Sequence, residues 1–161
     1  MPDPAVLGLL TSGSSSGVVG LCTAEGEPFA TRGWSVLVLE EEPLRLRVLL
    51  ATGSMARVGR RPGDGSRFPM ALTTANVTTL RAVQVKGVAH SLEEATEADM
   101  ARYHAYTAAF VDAVHEIDGL PVEILRRWPP LDLCAATLEV QAIFDQTPGP
   151  GAGAPLEATG S

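Results

Sequence analysis

Apolar and polar residues alternate along several stretches of this chain, and the longest runs from Arg67 to Leu92. Val83 and Val85 share one face of it, and Ala82, Gln84 and Lys86 share the other. At Gly87 the parity flips and the apolar position becomes Val88. A glycine at such a flip predicts a β-bulge or sharp bend, because glycine takes the strained backbone angles a bend needs. The whole stretch predicts two long strands joined by a short turn around Ala75–Thr79. Long bent strands are how a sheet curls into a barrel.

The same patterning places the other elements. Asp3 as cap and Pro4 at the first position predict a short helix over 4–11. A Ser/Gly loop from Ser12 to Gly17 leads to a short apolar strand, Gly17–Thr23, and Glu25-Gly26 marks a turn. The second strand is Phe29–Glu40, where Trp34, Val36 and Val38 alternate with Ser35, Leu37 and Leu39. The third is Leu44–Ala51, with Leu44, Leu46, Val48 and Leu50 on one face and Arg45 and Arg47 on the other. A helical turn or two follows through Arg61, and Pro62–Gly65 stops it. After the hairpin, Thr96 and Asp99 form a capping box for a long helix. Met100, Tyr103, Thr107, Phe110, Val114 and Ile117 fall on one face of that helix, and Gly119 ends it. A short helix over Pro121–Trp128 and a last strand over Asp132–Asp145 complete the set. A single long helix before the last of six strands, with short early connections, predicts a mainly β, α+β fold: a six-stranded antiparallel barrel with helical additions. Residues 1–146 form the domain; from Thr147 the Pro/Gly-rich tail is expected to be disordered and dispensable.

Charge narrows the function. With 12 basic against 19 acidic residues the net charge is −7, which argues against a nucleic-acid binder, since phosphates need a basic face. No apolar run approaches the ~20 residues of a membrane span. The N-terminus lacks a basic region before its short apolar run, so no signal peptide is expected. Cys22 and Cys134 sit in apolar strand-like runs and read as small buried hydrophobes of a reduced, cytoplasmic protein.

Most motif-like strings fail on context. Gly13-Ser14-Ser15-Ser16-Gly17 has the letters of a nucleophile elbow, but a strand follows it where a helix is required. Gly8 to Gly13 has a Walker-like spacing without its lysine. His90, His104 and His115 have no partner at metal-ligand spacing, so no metal is expected. One constellation remains. Thr52, Gly53 and Ser54 stand where a strand gives way to a helix, and hydroxyls with free backbone N–H groups there can seat a phosphate. Arg57 lies about a turn further on and can add a charged fork, and Arg60, Arg61 and Arg67 follow. The other reading is that Ser54 caps the helix and the arginines are solvated.

The order of these pieces resembles the pyridoxamine 5′-phosphate oxidase-related, FMN-binding split-barrel superfamily. The matching segments are Gly26-x-Pro28 leading into Ala30-Thr31-Arg32-Gly33-Trp34-Ser35, the strand end Leu50–Arg57, and Leu80-Arg81-Ala82-Val83-Gln84-Val85-Lys86-Gly87. The resemblance implies an FMN-dependent oxidoreductase acting on a small molecule, with the cofactor held by Arg32, Trp34, Ser35, Thr52, Ser54 and Arg57. Gln84 and Lys86 join them from the strand ending in V-x-V-x-G. The true oxidase is not implied: its Ser-Arg-Lys turn is Ser54-Met55-Ala56 here, and its C-terminal Trp and Arg motif is absent. No side chain stands out as an acid or base, which a flavin enzyme tolerates because the cofactor carries the reaction. Two alternatives stay open: a non-enzymatic flavin or haem module, with His90 as candidate haem ligand, and a deazaflavin-dependent reductase. A homodimer is also expected. The strand over 29–40 is apolar on both faces, more than a small barrel can bury, and split-barrel relatives pair with the cofactor at the seam.

Overall fold

The computed structural model describes residues 1–156 of the 161. Strands β1 (Ser15–Cys22), β2 (Pro28–Glu41), β3 (Leu44–Ala51), β4 (Phe68–Asn76), β5 (Ala82–Glu94) and β6 (Leu133–Asp145) form one antiparallel sheet in the order β3-β2-β1-β4-β5-β6. Pairing of β3 with β6 closes it into a barrel. Every consecutive pair along the sheet is antiparallel, so the short loops expected from the sequence suffice to connect most of them. Alternation decides the inside. Val19, Leu72, Val85, Val48 and Leu138 all point inward and are fully buried.

Helices close the barrel and cover part of its wall. At one end α1 (Pro4–Thr11), capped by Asp3, packs Leu10 into the core. At the other, α2 (Thr52–Arg57) inserts Met55, with Val58 just beyond it. The long α3 (Glu97–Asp118) begins with the expected capping box of Thr96 and Asp99 and ends at Gly119, in the left-handed conformation at φ 65°. Its Tyr103 packs with Trp34, Leu49, Leu133 and Ala135 outside the barrel, and Phe110, Val111 and Val114 pack against Leu125 of α4 (Val122–Leu125). The expected apolar stripe is therefore buried at Tyr103, Phe110 and Val114. Ile117 at its end is 46% exposed.

Asp99 fastens α3 to the barrel. It is 1% exposed and accepts from Arg47 Nε (2.9 and 3.1 Å) and Nη2 (2.7 Å), from Arg102, and from the amide and hydroxyl of Thr96. Burial pushes the Asp99 carboxyl up, but the bonds from Arg47 and Thr96 and the charge of Arg47 outweigh it and hold the group well below the usual carboxylate range. Arg47 was expected on the outward face of its strand. It is there, and α3 covers it.

The expected parity flip at Gly87 does not occur: Val83, Val85, Gly87 and Ala89 are all buried in strict alternation, and Val88 lies on the outer side. The β5–β6 register does shift between Lys86 and Gly87, but the extra residue is Gln141 of β6, skipped between Val140 and Ala142. The reason for glycine differs from the expected one. Its φ is not in the left-handed region; instead β6 passes so close that a Cβ would lie 1.9 Å from the Glu139 carbonyl oxygen. Three other expectations need correction. The helix after β3 stops at Arg57, not Arg61. Cys22 is exposed, because it is an outward residue at the end of β1 (Cys134 is buried, as expected). The tail does not leave the domain at Thr147. Asp145 N–H donates to Ala154 O and Gly153 N–H to Asp145 O, and a short β7 (Pro155–Leu156) pairs with β6. The Pro/Gly-rich turn reverses the chain, and Leu156 packs against the core near Ile143. Only 157–161 of the expected tail lie outside the described residues.

Candidate functional site

On the outer face α3 covers β2 at Arg32 and Trp34, while no described helix residue lines the part of the wall around Ala30, Gly20, Ala71 and Lys86. The register lines up residues across it in rows. One row runs Ala30, Gly20, Ala71, Lys86, Ala142, from β2 to β6. The next runs Arg32, Val18, Thr73, Gln84, Phe144. All alternate with inward residues, so their side chains point away from the core. The first row has almost no side-chain volume except at Lys86. A shallow, open depression of about 630 Å³ lies there, and its lining includes Gly20, Cys22, Phe29, Ala30, Ala71 and Lys86. That is within the ~300–1,000 Å³ range of ligand clefts.

At the rim the barrel end brings α2 close. Thr31 Oγ1 donates to Ser54 Oγ at 2.9 Å, tying β2 to α2. The Arg57 guanidinium lies over the Phe29 ring, 5.4 Å from its centroid, and Phe29 lines the cavity. Arg60 lies over Phe68 in the same way, at 4.1 Å. Among the described residues neither arginine has a carboxylate within ion-pair distance. An aromatic face fixes a guanidinium in place and leaves its N–H edge for an anion.

The eight residues singled out by sequence therefore separate. Lys86 lines the cavity, with its Nζ 4.8 Å from the Phe144 ring centroid; Arg57 touches the lining residue Phe29, and Ser54, bonded to Thr31, is not among the lining residues. Gln84 is on the same wall, donating to Thr73 Oγ1 at 2.9 Å. The other four point elsewhere. Arg32 bonds Ser16 Oγ and is sandwiched between Trp34 and Phe110, 4.9 and 4.7 Å from their centroids. Trp34 and Ser35 are buried, at 5% and 7% exposure. Thr52 has its amide and hydroxyl occupied by the backbone oxygen and carboxylate of Asp132. Of the expected Thr52, Ser54 and Arg57, Thr52 is therefore engaged within the fold, Ser54 accepts from Thr31, and Arg57 has no carboxylate partner among the described residues.

Sequence reasoning missed Phe29, Gly20, Ala30, Ala71 and Cys22. The signal was present as small residues two apart on neighbouring strands, but only the register turns that into a row. The histidines do not gather. His90 lies 3.7 Å from Glu139, His115 bonds Leu120 O, and His104 stands against Tyr103. No group of His, Cys, Asp or Glu among the described residues could hold a metal ion. No described helix is long and apolar enough to cross a membrane.

Comparison with known proteins adds the fold's relatives. No protein-family model and no curated protein matches the chain. HupZ of Group A Streptococcus superposes with a TM-score of 0.54 at 14% identity, covering 95% of this chain and 100% of that one. The haem storage protein HutZ from Vibrio cholerae gives 0.46 at 15% identity, over 89% and 93% of the two chains. A pyridoxamine 5′-phosphate oxidase-related, FMN binding protein from Nostoc punctiforme gives 0.44 at 14%, over 86% and 77%. The HupZ superposition shows a shared fold. The architecture is a six-stranded antiparallel split barrel with helical additions, as the sequence predicts.

Proposed function

We propose that the protein binds FMN against the outer wall of its barrel and acts as an FMN-dependent oxidoreductase on a small molecule. The observation that carries this reading is the row Ala30–Gly20–Ala71–Lys86–Ala142. Four of its five residues have no side chain beyond Cβ, so a flat ring system can lie against the backbone at contact distance. Arg57, fixed over Phe29, and Ser54 receive the phosphate at the rim. Lys86 supplies a cation inside the cavity. A bound flavin would itself supply hydride or electron transfer. The protein's task is to hold and orient the ring and keep water from it. A deazaflavin with a phosphate-bearing side chain would use the same groups. Haem is less well served, because His90 does not line the cavity.

A second copy of the chain is the cover we propose for this wall. The original ground for a dimer was the doubly apolar β2, but α3 buries Trp34 and the barrel buries much of Val36 and Val38. On β2 Leu39 stays 45% exposed, and the wall adds Val18, 48% exposed. A dimer across it would exclude water from the flavin.

Gly20→Phe tests the reading. A Cβ at Gly20 meets nothing within 4 Å, so the substitution fills the cavity without strain in the barrel. It is expected to abolish FMN binding, followed by flavin fluorescence and the visible spectrum, with an unchanged melting temperature. FMN binding equal to that of the native protein removes the site from this wall. Light scattering that gives one 16.9 kDa chain at micromolar concentration removes the dimer.

A further inference from the structure

A second cleft, of about 470 Å³, lies outside the barrel between α3 and the segment joining α4 to β6. Met100, Thr107 and Val111 of α3 form one side, and Pro129, Pro130 and Leu131 the other. The cleft is built into the fold. Tyr103, 3% exposed, donates its hydroxyl to Pro130 O at 2.5 Å and ties the two sides together. Two prolines stiffen the outer side. Leu131 stands at the lip 97% exposed, an apolar side chain with no cover.

Beside His104, two charged side chains line this cleft from different elements: Asp112 on α3, and Arg126, the residue capping α4. Neither makes an ion pair, with the other or with any described residue. An apolar cleft with an unpaired cation and an unpaired anion matches a ligand that carries both charges on an apolar body.

We propose that this cleft binds a free α-amino acid with a large apolar side chain. Its carboxylate meets Arg126, its ammonium meets Asp112, and its side chain lies between Val111 and Pro130 under Leu131. The site is separate from the outer wall and does not depend on the flavin reading.

Calorimetry on the full chain tests it, with L-phenylalanine as probe. 3-Phenylpropanoate lacks the ammonium and phenethylamine lacks the carboxylate. L-Phenylalanine is expected to bind, and each analogue to bind more weakly by about ten- to hundredfold, the worth of one charge-assisted contact. Arg126→Gln is expected to weaken L-phenylalanine and leave phenethylamine unchanged. Asp112→Asn is expected to weaken L-phenylalanine and leave 3-phenylpropanoate unchanged. Both side chains are exposed, so both variants keep the fold, and thermal melts check this. Absence of heat from L-phenylalanine at millimolar concentration overturns the proposal. So does equal binding of the three probes, or a variant that weakens all three alike. A lowered oligomeric mass in either variant would make the cleft an interface between copies and would overturn it as well.

Discussion

Asp99→Asn should be among the most damaging changes outside the barrel core. The carboxylate is 1% exposed and gathers Arg47, Arg102 and Thr96. Asparagine keeps the shape and can still accept from Thr96. It loses the charge facing Arg47, whose own side chain is 13% exposed and retains only Glu93. Breaking one side of a buried ion pair costs ~3–5 kcal/mol, and the surviving Thr96 bonds place this case near ~3. For a domain of this size each kcal/mol moves the melting temperature by about 2–4 °C, so a fall of ~6–12 °C is expected at pH 7. The pH dependence carries a sign. The folded Asp99 carboxyl is held below its unfolded value, so its contribution is complete above an unfolded pKa of about 3.9 and is lost as pH falls further. The gap between native and variant should therefore be constant from pH 7 to 5 and narrow below ~4. Melts by circular dichroism across that range measure it. A gap under ~2 °C at pH 7, or one that widens in acid, would refute the argument.

Other changes probe other parts of the structure. Gly87→Ala forces a Cβ to within 1.9 Å of the Glu139 carbonyl oxygen, and β5 and β6 must part to admit it. A loss of ~3 kcal/mol or more is expected in denaturant unfolding, and a neutral result would mean the bulge is not as tight as described. Leu80 holds φ 59° in the β4–β5 turn and is 61% exposed, so Leu80→Gly should stabilise by ~0.5–1 kcal/mol, and a lower melting temperature would count against it. Ending the chain at Leu156 should leave the melting temperature within a degree or two, whereas ending it at Gln146 removes β7 and the packing of Leu156 and should cost ~1 kcal/mol. Equal melts for the two shortened chains would show that β7 contributes nothing.

The barrel is legible because its strands alternate and the ends of α3 are marked by the Thr96–Asp99 box and Gly119. The tail is not legible because one leucine, Leu156, gives no sequence signal of order in a Pro/Gly-rich stretch, while the edge of β6 that it pairs with exists only in the folded sheet. The site was legible only in part. A strand reveals which residues share a face, but not which strand lies beside it. Arg57 and Lys86 could be singled out individually; the row of Ala30, Gly20 and Ala71 between them exists only once β2, β1 and β4 are in register. Arg32 and Trp34 sit on the outward side of β2, and nothing in their spacing shows that α3 will cover them. Cys22 was misplaced for the same reason: an apolar neighbourhood in sequence became an open wall in space.

The central claim is that FMN lies on this wall with its phosphate on Arg57. A fluorescence titration of FMN and of riboflavin, which lacks the phosphate, against the native protein and Arg57→Ala tests it most directly. The account predicts that Arg57→Ala weakens FMN by ~1.5–3 kcal/mol, or about ten- to hundredfold, and leaves the weaker riboflavin binding nearly unchanged. Equal losses for both flavins, or no loss for either, would contradict it.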